Sequence, residues 1–186
     1  MVRRLILVAL LPLLAGGCVY SLAPRRMFYP AGWPPLQAPD VTCNNVVGVY
    51  HAVGEYAQAL PDMPNTRPTL LGILRQHSEP SASYVSIQPT SDDKYQVSAL
   101  DAEKQPITTT IGAREPLSCR GGSLVASFAG ANYADGSSHK SDQTVTLSLA
   151  SDGSLVANLR GTSQTSDLLS RATLSIDLLY KFAHVQ

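Results

Sequence analysis

The residues best able to do chemistry in this 186-residue chain are three cysteines, Cys18, Cys43 and Cys119, and four histidines, His51, His77, His139 and His184. The histidines lie far apart, and no C-x-x-C, H-x-x-x-H or H-E-x-x-H spacing gathers them into a metal set, so no metal ligands and no cofactor are assigned. A G-x-S-x-G elbow and a G-x-x-x-x-G-K-[ST] phosphate loop are both absent. Arg120-Gly121-Gly122-Ser123 is glycine-rich, but its place just after Cys119 and before an apolar alternation reads as a tight turn. The carboxylates fall mostly at turn positions such as Asp92-Asp93 and Asp152, where they accept local hydrogen bonds, and nothing pairs them for acid–base work. We therefore expect no enzyme activity and name no catalytic residue.

The three cysteines divide by position. Residues 1–17 carry Arg3 and Arg4, then an apolar run from Leu5 to Leu14, then the small residues Ala15, Gly16 and Gly17. That is the layout of a secretory leader, and the apolar run is too short to span a membrane as a helix. In an exported chain Cys43 and Cys119 read as a disulfide. Closing a loop of that size stabilises by roughly 4–5 kcal/mol at most in the chain-entropy account.

Leu14-Ala15-Gly16-Gly17-Cys18 resembles the lipobox of bacterial lipoprotein precursors, with Ala15 where that family prefers Leu. The resemblance implies cleavage before Cys18, lipid attachment to its thiol, and acylation of the new amino group. The second mature residue is Val19 and not Asp, which in that family implies the outer membrane, with the domain facing the periplasm. Two or three acyl chains at about 0.8 kcal/mol per buried CH₂ hold a protein firmly where one does not.

Charge and composition set the remaining limits. The chain has 14 basic and 14 acidic residues; losing Arg3 and Arg4 with the leader leaves 12 against 14. Such a balance gives no bulk attraction to nucleic acid. Twenty Ser, twelve Thr, 13 Gly and 13 Pro favour turn-rich β structure.

The elements follow from that bias. Residues 19–40 hold Pro24, Pro30, Pro34, Pro35 and Pro39, which fits a semi-extended tether. Within it Phe28, Tyr29 and Trp33, preceded by Arg25 and Arg26, have three readings: an interfacial patch on a bilayer, a partner-docking segment, or aromatics that pack back onto the domain. From Gly48 onward the apolar period is two. Strands are expected over 48–56, 84–88, 95–100, around Ile107, Thr109 and Ile111, over 124–128, 145–149 and 155–159, and over 173–182. Ser151-Asp152-Gly153 is the clearest hairpin turn, since Asp-Gly supplies positive φ. Residues 69–77 form a continuous apolar run that reads as one short helix covering a barrel end, with an unpatterned strand as the alternative, and residues 130–142 read as an exposed, mobile polar loop. One-faced alternation in about eight strands predicts an all-β antiparallel barrel or sandwich. The domains are then 1–17 leader, 18–42 lipidated cysteine and tether, and 43–186 β domain.

Gly48-Val49-Tyr50 resembles the G-x-W opening strand of lipocalins and other calycins, with Tyr for Trp; residues 48–55 also resemble the G-x-Y-x-x-x-G-E first strand of β-rich envelope lipoproteins. The calycin resemblance implies a barrel mouth that takes a small hydrophobic ligand or lipid. Two functions stand: an envelope lipoprotein that works by protein–protein contact, and a calycin-like carrier. Replacing Cys18 by Ser should release the protein from the membrane fraction at full expression; quantitative retention would remove the lipid anchor.

Overall fold

The computed structural model describes residues 18–26, 28–57, 67–74, 81–90, 94–107, 117–134, 137–166 and 170–185. The leader, His77, the turn at 91–93 and the strand positions Thr109 and Ile111 lie outside the described residues. Among the described residues ten strands form one curled sheet: β1 (Cys18–Arg26), β2 (Gly48–His51), β3 (Glu55–Tyr56), β4 (Tyr84–Pro89), β5 (Lys94–Leu100), β6 (Leu117–Arg120), β7 (Ser123–Ala134), β8 (Ser137–Leu149), β9 (Leu155–Ser166) and β10 (Ser170–Phe182). The order is β1-β10-β9-β8-β7-β6-β5-β4-β2, with β3 also on β10. Every pairing is antiparallel except β1 on β10. The class is all-β, as the alternation requires, and a single curled sheet decides for a barrel-like wall over a sandwich.

The curl returns to its own start. Beyond Phe182 the chain runs along β2, where Tyr50 pairs with His184. The His51 amide donates to the Ala183 carbonyl and the Val185 amide to the Val49 carbonyl, each at 2.9 Å. Apolar residues at alternate positions of this wall, including Leu124, Leu147, Leu155 and Phe182, turn inward with Tyr50 and Ile87, and all are fully buried in one cluster. A single helical turn, α1 (Leu70–Ile73), adds Leu70 and Leu71 to that cluster. Its start is set by Thr69, whose hydroxyl accepts the Gly72 amide at 3.2 Å. The helix expected over 69–77 is thus one turn, and 75–77 lie outside the described residues. Cys43 and Cys119 are bonded, with Cα atoms 5.8 Å apart, and tie the segment before β2 to β6.

Two expectations are corrected. Residues 130–142 are not a loop: β7 continues to Ala134 and β8 starts at Ser137, paired throughout in register. Their strand character was hidden because the sheet there has water on both faces, so no apolar alternation marks it. Residues 19–40 are not a free tether either. Cys18–Arg26 is a strand, and residues 28–37 lie against the wall, with Leu36 bridged to Ala150. Pro24 falls at the register shift between Leu22 and Arg25, where the β1 ladder is interrupted, and Pro30, Pro34, Pro35 and Pro39 come after the strand. The Asp152-Gly153 hairpin matches its reading: Gly153 has φ +84°, and the Asp152 carboxylate accepts the Ser154 amide at 2.9 Å and its hydroxyl at 2.6 Å. At Gly161 a Cβ would press into the Asp142 carbonyl and come within 2.8 Å of the Gln143 Cα, so β8 and β9 approach there as only glycine permits.

Two stability tests follow. In the Cys18→Ser protein, denatured without reductant, a thiol alkylator should modify no cysteine, and replacing Cys43 and Cys119 by Ser should cost about 2–5 kcal/mol by urea titration; two modified thiols would contradict the bridge. The second test is alkaline. Burial pushes the Tyr50 phenol up to about 12, and burial, then the neighbouring Tyr56, push Tyr180 up as well. Both phenols are held neutral in the fold, whereas unfolded ones ionise near pH ~10. Their contribution is therefore complete below pH ~10 and is lost as the pH rises toward ~12. The urea midpoint should fall across that window, and less steeply in Tyr50→Phe; an unchanged slope would contradict the assignment. At neutral pH the same variant loses the 2.8 Å bond from the Tyr50 hydroxyl to the Val46 carbonyl, at a cost of about 1 kcal/mol.

Candidate functional site

The residues singled out by type do not converge. His51 stacks obliquely on Tyr84 at 5.2 Å between centroids, and His184 meets Tyr50 edge-on at 5.5 Å. His139 sits near the start of β8, with its Nδ1 3.1 Å from the Thr165 hydroxyl. Among the described residues, no three His, Cys, Asp or Glu side chains gather as a metal set. The exposed carboxylates hold turns: Asp101 accepts the amides of Glu103 and Gln105, and Thr42 holds the Asp40 carboxyl below its usual range through its amide and hydroxyl. Cys18 opens β1, in register with Ser170.

The wall's interior is occupied by side chains, so the recesses to examine are outside it. Three grooves are lined by described residues. One of about 540 Å³ is bordered by Val53, Glu55, Tyr56, Arg67 and Lys181. A second, about 500 Å³, lies over Ala129, Lys140, Asp142 and Thr162 on the outer sheet face. The third, about 380 Å³, lies between residues 28–36 and the outer faces of β8, β9 and β10. The first two carry solvated charges. The third joins exposed apolar surface to an unsatisfied polar atom, which makes it the strongest candidate.

The third groove is built by a strap. Outward-facing Ala150, Val156 and Leu179 form a small second core, and Tyr29, Trp33 and Ala57 pack on it. The strap turns at Pro30, whose carbonyl accepts the Trp33 amide at 3.0 Å. The Tyr29 hydroxyl donates to the Pro34 carbonyl. The Gln37 amide donates to the Leu149 carbonyl at 2.9 Å, and the Ser151 amide to the Pro35 carbonyl at 2.8 Å. Tyr29 and Trp33 meet edge to face at 5.7 Å. Lys181 lies 5.3 Å over the Trp33 ring and pairs with Glu55 at 2.7 Å. Burial and then Asp152 raise the Tyr29 phenol, with Lys181 opposing, so it stays a neutral donor at physiological pH. Of the three readings of these aromatics, packing back onto the domain describes Tyr29 and Trp33.

Phe28 does not share that burial. It is 86% exposed at the groove's edge, and Leu36 across from it is 48% exposed. Val156 and Leu179 form apolar floor, and Asn158 and Arg160 line the same recess. The Asn158 Oδ1 is buried without a hydrogen-bond partner, and such an atom costs roughly 1–3 kcal/mol until a donor reaches it. Arg160 reaches Asp177 at 3.3 Å with its side chain 69% exposed, a solvated pair of little net worth. Among the described residues lining this groove no nucleophile is paired with a base, and its apolar floor and rim can take an apolar group. Sequence reading found Phe28, Tyr29 and Trp33, but not the outward residues Asn158 and Leu179 that face them. Their signal, an apolar residue on the polar side of an alternating strand, is present at Val156 and Leu179. Compared with known protein families, characterised proteins and solved structures, the chain finds no match.

Proposed function

We propose that the protein is a lipid-anchored lipoprotein of the outer membrane whose β domain is a non-enzymatic binding module acting by protein–protein contact. The observation that carries the contact reading is the Phe28 groove: a large aromatic left 86% exposed beside Leu36, over a floor with an unpaired Asn158 acceptor. Aromatic anchors in part-desolvated recesses are where binding energy concentrates in protein interfaces. The occupied interior supports use of the outer surface: Tyr50, Phe182, Leu70, Leu71 and Ile87 take the space a carried ligand would need. The anchor reading rests on Leu14-Ala15-Gly16-Gly17-Cys18.

A photoreactive residue at position 28 in living cells should capture one defined envelope protein, and the same residue at the exposed position 103 should not. The double variant Phe28→Ser, Leu36→Ser should weaken binding to that protein at least about tenfold, with its thermal midpoint nearly unchanged. Equal capture at both positions, or none at position 28, would count against the groove as a contact site.

A further inference from the structure

We infer that the far end of the sheet, where β1 begins, is the surface that meets the lipid bilayer, and that the barrel and its Phe28 groove are held well out from it. The inference rests on the lipid-anchor reading of Cys18 and adds an orientation to it. A free tether would set none. Here the first residue of the expected mature chain is already in a ladder: Cys18 pairs with Ser170, Val19 with Arg171 and Tyr20 with Ala172. One row of the sheet runs Val19, Arg171, Ser166, Ser138, Tyr133, so Cys18 lies level with the far ends of the β7–β8 and β9–β10 ladders. An acyl chain at Cys18 therefore brings that whole end to the membrane.

The chemistry of the end fits a headgroup layer better than hydrocarbon. Side chains in its last rows include Ser138, Lys140, Gln164, Thr165 and Arg171, with Lys140 and Arg171 exposed. These donate hydrogen bonds to phosphate and glycerol oxygens. Of the exposed large apolar residues, Phe28, Leu36, Val41 and Val53 lie away from it, in the strap and at the barrel, while Leu174, the least exposed of them, lies in the extension four residues from Ser170. From Ser170 to Leu179, against which Trp33 packs, β10 advances nine residues, which at about 3.3 Å each is roughly 30 Å. The interfacial reading of the strap aromatics asks for the opposite orientation, with Phe28 and Trp33 in the bilayer surface.

Trp33 is the chain's single tryptophan, so its emission reports the orientation directly. The full lipidated protein, purified in detergent, is reconstituted into phosphatidylethanolamine and phosphatidylglycerol vesicles, with and without lipids bearing a nitroxide on the headgroup. Flotation with the vesicles tests the anchor alone; a protein that does not float removes the anchor reading and this inference with it. In the floated protein, Trp33 emission should be the same in both vesicle types. In a Trp33→Phe, Ser138→Trp variant, emission should fall by at least half in the nitroxide vesicles. Quenched Trp33, or unquenched tryptophan at position 138, in protein that floats would overturn the orientation and leave the anchor standing.

Discussion

The short seam between β2 and residues 183–185 is the constraint on which the rest of the structure depends. Without the His51 and Val185 amide bonds, a ten-strand sheet would have an open edge at β2, and its apolar face would lack an opposite wall. Open edges invite pairing with other chains, and closure removes them. The seam also sets the outside. With β10 held beside β2, the outward residues of β8, β9 and β10 form one platform, and the strap at 28–37 packs onto it.

This arrangement divides the molecule by energetics. Below Phe128 the wall surrounds one apolar cluster, and burying a Phe or Leu side chain there is worth about 1.5–3 kcal/mol. Above it β7 to β10 continue as a single layer that is mostly polar on both faces, such as the row Lys140, Gln164, Thr173 and, in the next row, Ser141 and Ser163 beside the part-exposed Leu174. Cross-strand pairs there contribute about 0.2–1 kcal/mol each, and the exposed Arg160–Asp177 pair adds little. The extension thus draws its order from the barrel it continues. In the functional reading, a paired layer without a core of its own suits a spacer better than a pocket.

What could be read from the residues follows the same division. Where one face is buried, alternation exposed the strands: Val145, Leu147 and Leu149, the Asp152-Gly153 turn, and Leu155, Ala157 and Leu159 all stand as read. Cys43 and Cys119 are bonded as read, because the fold brings their Cα atoms within 5.8 Å. Where both faces meet water, as over 130–142, the apolar period vanishes and a strand reads as a loop. β1 was hidden differently: it is a parallel edge strand whose partner lies some 150 residues on, and Pro24 with the prolines that follow the strand argued for a tether. The groove was half legible. Its aromatics drew attention by type, but their setting depends on Val156, Asn158 and Leu179, which only the sheet register brings together.

Amide hydrogen exchange, resolved by residue, is the most direct test of a wall closed by its own C-terminal segment. The amides of His51 and Val185 should exchange only with global unfolding, as slowly as that of Ile87 in the core. Exchange at these two amides as fast as at an unpaired edge would show an open sheet, and the platform for the strap would then have no fixed back wall.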